Sequence, residues 1–240
     1  MTLREHLWER AEPLVAGVLA HPFWAGLRDG TLAPEVLWHF AEQDARYTVP
    51  AYARALARTA AAPDRDDHGA LLAGAAGATF ESLTRMSREL ERLSERFEGL
   101  EPAAGITPST LAHTSFMTAA ATTSFAAGIG GLLPMTWFHQ KVCHDLTERR
   151  KPGSRYTWWI DQYCPEDGFH DYVEAYLGMV DDFGRRASDA ELAVLGDSFL
   201  HGAHYELAFC EAAWRLQSWA GPYQGSGDPA EPRDSTEGPG

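Results

Sequence analysis

Four segments carry side chains able to do chemistry. In Gln43-Asp44-Ala45-Arg46-Tyr47 an acid stands within an otherwise apolar stretch. Asp44 and Tyr47 are three residues apart and share a face if the stretch is helical. An acid facing a core must be paired or hydrogen-bonded, because an isolated buried carboxylate is costly; a salt bridge or a helix cap meets that need as well as a ligand does. In His201-Gly202-Ala203-His204-Tyr205-Glu206, the histidines extend a stripe begun by Asp197, at i, i+4 and i+7, that could hold a metal. Glu206 lies roughly opposite Asp197 at about 100° per residue, beside Gly202, Phe209 and Cys210. Only one of these faces can turn into a helix-lined pocket; the other is left for solvent or a subunit contact. Leu132-Leu133-Pro134-Met135-Thr136-Trp137-Phe138-His139 reads as a helix start with Met135 and His139 on one face, equally a core segment with one satisfied histidine. Tyr156 to Tyr163 is an aromatic cluster suited to stacking a planar ligand or to filling a core.

Helices must position these groups. Apolar residues recur with a 3.6-residue period and no run alternates with period two, so the chain reads as all-α. Thr2 and Glu5 have capping-box spacing ahead of Leu3, Leu7, Leu14 and Val18. Asp29-Gly30 is a turn. A helix is expected over about 34–60, kinked near Thr48 to Pro50 because proline removes a ladder hydrogen bond. A loop at 63–67 precedes a long amphipathic helix through Arg96, with Phe80, Leu83, Leu90, Leu93 and Phe97 inward. Thr107-Pro108 starts an uncharged helix and Leu133-Pro134 the next, which ends at Lys151-Pro152-Gly153. A short helix near 156–163 and two long ones, about 166–186 and 188–217, finish a single domain over 1–220. The Gly- and Pro-rich acidic segment 221–240 is expected to be a disordered tail.

The 240 residues carry 20 Lys and Arg against 34 Asp and Glu, a net charge of -14. Such a surface offers no positive field to nucleic acid or to an anionic membrane. The stretch between Glu101 and Lys141 has no charged residue, but prolines, glycines and hydroxyl side chains interrupt it. It is expected to be helix buried within a soluble core rather than a membrane span. Cys143, Cys164 and Cys210 have no CxxC spacing, and the N-terminal segment lacks an apolar signal region, so a reducing cytoplasm is expected.

Taken together and in order, these segments resemble the TenA or thiaminase II family, with its all-helical heme-oxygenase-like fold. The likeness spans about residues 5–219. It runs through His21-Pro22-Phe23-Trp24, Asp29-Gly30-Thr31-Leu32, Gln43-Asp44 with Tyr47, Leu133-Pro134, Trp159-Ile160 with Tyr163, and Tyr205-Glu206 with Phe209. The resemblance implies a pocket for an aminopyrimidine and hydrolysis of a C–N bond. Asp44 would grip the ring amine, Tyr47 and Tyr163 would position ligand and nucleophile, and Glu206 would be the acid/base. Phe40, His113, Met135, Trp137 and Phe209 are expected in the substrate wall and His139 as a catalytic helper. No cofactor or metal is expected, and the resemblance implies a homotetramer or a dimer with a small heteroaromatic substrate as its partner.

Family hydrolases commonly carry a nucleophilic cysteine directly after Leu-Pro, where this sequence has Met135. A thioether has no proton to lose and cannot form and release a covalent adduct. His113 and His139 stand where relatives often have tyrosine. The expectation is therefore water attack assisted by Glu206, as in a similar branch of the family that lacks the cysteine; a nucleophilic Cys210 is the less favoured substitute. Alternatives are a protein recruited to specialised metabolism with altered chemistry or ligand binding only, and a di-iron oxidase using Asp197, His201 and His204. The second is poorly supported, because Glu81 is read as the obvious carboxylate on its helix, with Thr84 and Arg88 where a histidine would be needed. A quinone-cofactor synthase ranks low for want of a His and Arg cluster.

Overall fold

The computed structural model describes residues 2–62, 65–103, 105–164 and 168–220, and they form helices with no strand among them. The helices are α1 (Leu3–Ala20), α2 (Pro22–Asp29), α3 (Pro34–Gln43), α4 (Val49–Ala60), α5 (Asp66–Arg96), α6 (Pro108–Thr123), α7 (Phe125–Arg149), α8 (Thr157–Tyr163), α9 (Phe169–Gly184) and α10 (Asp189–Trp214). Among the described residues none is long and apolar enough to cross a membrane. The expected tail at 221–240 lies outside the described residues.

Local signals place several of these elements. Thr2 Oγ1 accepts from the Glu5 amide at 3.3 Å while the Glu5 carboxylate accepts from the Thr2 amide at 2.8 Å, so the capping box starts α1. His21 Nδ1 accepts from the Phe23 amide and caps α2, and Gly30 at φ 76° ends it in the left-handed region.

The expected helix over 34–60 is broken where Asp44 sits. Residues Asp44–Thr48 make a π turn, with the Val49 amide donating five residues back to the Asp44 carbonyl. Pro50, in the first turn of α4, has no amide to offer the α-helical ladder. The Thr48 hydroxyl instead donates to the Gln43 carbonyl at 3.4 Å. The disruption thus falls a few residues before the position the proline suggested.

Helix α7 is the central element, and its composition explains the uncharged stretch. A Cβ added at Gly128 would lie 2.6 Å from the Thr59 side chain, at Gly130 2.3 Å from the Leu195 carbonyl, and at Gly131 3.0 Å from the Ala120 Cβ. Helices α4, α10 and α6 therefore pack against α7 so closely that only glycine fits. Leu133-Pro134 does not begin this helix, contrary to the sequence expectation. Ser124 does, its Oγ accepting from the Ala127 amide at 3.1 Å, and Pro134 lies in the interior. Burial of both flanks outweighs the hydrogen bond lost at the proline.

Two expectations for α5 change as well. Asp66 and Asp67, read as loop, occupy its first turn, where acids complement the helix dipole. Phe80, read as inward, is 40% exposed with the Arg54 guanidinium 6.0 Å from its ring. The residues turned inward in this part of α5 are Ala75, Thr79, Ser82, Met86 and Glu89, and they face a cavity rather than a packed core.

Candidate active site

That cavity has a volume of about 890 Å³ and is lined by parts of every helix and of the π turn. Phe40, Asp44, His113, Met135 and His139 line it, as do Tyr163, Glu206, Phe209 and Cys210. Two acids from distant segments, Asp44 and Glu206, thus line one hollow, where the family resemblance had them meet. Its size suits a small organic ligand.

Asp44 is held there by the chain around it. Gln43 donates from Nε2 to the Gly105 carbonyl at 3.1 Å and accepts the Thr107 amide at 3.0 Å, and Glu42 accepts the Ala103 amide at 2.7 Å. These contacts pin the end of α3 against the segment leading into α6. The Asp44 carboxylate makes no hydrogen bond to the described residues, so the salt-bridge and cap alternatives are not realised. Burial pushes its pKa up to about 7.

Glu206 faces it from α10. Close contact of Gly202 with the Gly131 carbonyl turns the Gly202–Glu206–Phe209 face inward and leaves the opposite face outside. Burial, followed by the charge of Asp44, raises the Glu206 pKa to about 8. Its side chain retains 19% exposure although it is surrounded by protein, because the accessible surface is the cavity wall. His113 Nε2 lies 3.7 Å from Glu206 Oε1, within ion-pair reach but too long for a hydrogen bond. His113 Nδ1 and Glu206 Oε1 are both buried without a hydrogen-bond partner, a condition that a ligand or water can relieve. Burial lowers His113 to about 3, so the ring is neutral at pH 7 and stacks on Tyr205 at 5.2 Å.

An aromatic wall completes the hollow. Tyr163 stacks on Trp159 at 4.5 Å and meets His139 edge-on at 4.7 Å. Burial and then the nearby Asp44 charge raise the Tyr163 pKa well above its ordinary value, keeping the phenol protonated. His139 is lowered to about 4 by burial and by Arg85, and its Nε2 lies 3.5 Å from Cys143 Sγ. Burial and Glu206 push the Cys210 thiol up, which opposes a nucleophilic thiolate there.

Two expected residues lie elsewhere. Tyr47 borders a separate, shallower groove with Arg46, Arg54 and Arg58. The π turn carries more residues per turn than an α-helix, so the three-residue step from Asp44 no longer returns to the same face. Trp137 is not in the cavity wall; it is buried against Trp8 at 4.9 Å and Phe199 at 6.0 Å. His201 and His204 are exposed, and Asp197 is paired with Arg10 at 3.6 Å. Among the described residues no group of three His, Cys, Asp or Glu side chains converges as a metal site.

The profile of the TENA/THI-4/PQQC family matches residues 8–216. The chain belongs to this family. The aminopyrimidine aminohydrolase of Bacillus subtilis (strain 168) is 28% identical over 206 residues, which cover 85% of this chain and 86% of that protein. The aminopyrimidine aminohydrolase of Halalkalibacterium halodurans is 28% identical over 228 residues, covering 91% and 98%. A solved structure described as a TenA homologue from P. horikoshii OT3 superposes with a TM-score of 0.72 at 23% identity, covering 90% of this chain and 99% of that one. The all-α TenA fold expected from the sequence is thus established.

Within this TenA-like framework, several cavity residues escaped sequence reasoning. Tyr52 and Tyr172 place their hydroxyls 3.5 Å apart on the wall, and burial, followed by the neighbouring Tyr172, raises the Tyr52 pKa well above its ordinary value. On α5, Glu89 and the exposed Arg85 line the same cavity, whereas Glu81 does not. Each reads in sequence as one more polar residue of an amphipathic helix, so the only signal was a spacing shared with Ser82 and Met86.

Proposed function

We propose that the protein hydrolyses a C–N bond of an aminopyrimidine or related heteroaromatic amine or amide, using carboxylates and water. One observation carries this reading: Asp44 and Glu206, without protein hydrogen-bond partners for their carboxylates, meet across one aromatic-lined cavity, and burial raises the proton affinity of both. The family relationship to two aminopyrimidine aminohydrolases supports the substrate class.

In the proposed reaction Asp44 accepts from the ring amine and fixes the heterocycle against Phe40, Tyr163 and Phe209. Glu206 is largely protonated near pH 7 and is suited to donate that proton to the departing nitrogen. Water oxygen bonds to the carbon as the C–N bond breaks, and the surplus water proton returns to Glu206. The products are an alcohol or acid and an amine, with Glu206 regenerated. Neutral His113 and His139 can accept from the water and orient it. Met135 contributes apolar wall and no nucleophile.

The direct test is amine release from an aminopyrimidine substrate by the wild type and by Glu206→Gln. Loss of 10²-fold or more in turnover, with ligand binding retained, is the expected result. Equal turnover removes Glu206 from the mechanism. Met135 favours a second reading, ligand binding without catalysis, for which wild-type affinity without turnover is the signature. Recruitment to specialised metabolism fits the altered positions His113, Met135 and His139, and failure on simple aminopyrimidines would favour it. We further read the chain as cytoplasmic and as a homotetramer or dimer, a state that light scattering reports.

A further inference from the structure

The cavity continues past the two carboxylates to a second polar end on α5. Asp44, Tyr163, His139 and Arg85 all line it, and His139 meets Tyr163 edge-on at 4.7 Å, so the lining runs from the inner carboxylates to α5. Arg85, a solvent-exposed residue of the cavity lining, has Glu81 and Glu89 at i−4 and i+4, the usual positions for a helical ion pair, yet it makes no ion pair or hydrogen bond to the described residues. Glu89 is occupied on one side only: Oε1 accepts from Arg92 at 3.0 Å, while Oε2 is buried without a partner. Arg85 and Glu89 therefore stand about one helical turn apart on the lining, roughly 6 Å in axial rise, and neither satisfies the other.

Arg85 offers forked N–H donors that match a carboxylate, and Glu89 Oε2 needs an N–H. A cavity of about 890 Å³ also holds more than a single heterocycle. We propose that the substrate is two-ended: a heteroaromatic amine between Asp44 and Glu206, joined through nitrogen to an arm whose carboxylate meets Arg85 and whose N–H meets Glu89. This rests on the hydrolase reading above and names its leaving group as an amino acid. The reaction balances as ring–CH₂–NH–R–COO⁻ plus water giving ring–CH₂–OH and H₂N–R–COO⁻, with no oxidant or reductant required.

Two probes separate this inference from the reading beneath it: 4-amino-5-(aminomethyl)-2-methylpyrimidine and its N-carboxymethyl derivative, which differ only in the arm. Quenching of the wall tryptophans Trp24 and Trp159 reports binding. The wild type is expected to bind the carboxymethyl compound about tenfold or more tightly, in line with one charge-assisted contact, and to release glycine from it. Arg85→Ala should erase the difference between the probes. Arg85→Lys, which keeps the charge without the fork, should restore part of it. Binding of both probes with equal affinity, or equal weakening of both by Arg85→Ala, overturns the two-ended site while leaving the hydrolase reading standing. Failure of both probes to bind overturns both.

Discussion

If Glu206 is kept protonated by its surroundings, replacing it with glutamine must change how stability depends on pH. The group ionises at about 8 in the folded protein against an ordinary 4.5. A raised carboxylate pKa means that the folded state favours the protonated form, so its contribution is fully present below about pH 4.5 and is lost as pH rises toward 8. At about 1.4 kcal/mol per tenfold change in proton affinity, the loss on the alkaline side approaches ~5 kcal/mol. Part of this is shared with Asp44, whose charge adds to that of Glu206, so Asp44→Asn should shrink the effect. Glutamine is uncharged at every pH and escapes it. Thermal melts of wild type and Glu206→Gln from pH 4.5 to 9 should therefore nearly coincide at the acid end and diverge upward. The variant should be more stable by roughly 10–20 °C at the alkaline end, taking about 2–4 °C per kcal/mol for a chain of this size. A difference between the two melts that stays flat with pH would refute the argument that burial governs this carboxylate.

Other expectations follow from the same geometry. Met135→Cys should not yield a reactive thiolate: Pro134 lies inside α7, so the new thiol gains no helix N-terminus, and its alkylation should accelerate only above about pH 8. Gly130→Ala drives a Cβ to 2.3 Å from the Leu195 carbonyl and should cost about 3 kcal/mol or more, read as a fall in melting temperature. Tyr47→Phe should leave ligand affinity within about twofold, because its ring borders the outer groove rather than the cavity; a tenfold loss in a titration would put Tyr47 back in the site.

Much of the arrangement was readable before any coordinates. The capping box at Thr2, the 3.6-residue period and the acid within an apolar stretch are local signals, and the structure realises each locally. Asp44 and Glu206 were paired only through the family resemblance, because spacing left open both a salt bridge for Asp44 and which face of the last helix turns inward. Trp137 lies two residues from Met135, about 200° around the helix, so spacing alone already argued against its placement in the wall. Tyr47 was not recoverable in this way, because the register change depends on a π turn stabilised by Thr48 and Pro50. Pro134 misled for a related reason: the burial that tolerates it comes from α6 and α10, which no short window contains. Arg85 and Glu89 look like solvent-facing charges until α5 is seen to pass over a hollow.

The π turn carries a consequence for insertions and deletions. Five residues cover there roughly the arc that four cover in the flanking helices, so the segment stores one residue of chain length that no loop absorbs. Excision of a single residue after Asp44 in this turn would let the ladder close in ordinary α register with the flanking helices still in phase, because five residues at roughly 80° and four at about 100° cover nearly the same arc. Only the side chains within the turn would be re-aimed, Tyr47 among them, while the acid kept its place at the end of α3. A relative with a one-residue gap at this place should therefore retain both the architecture and the acid on the cavity wall, and differ in what the turn presents to the outer groove.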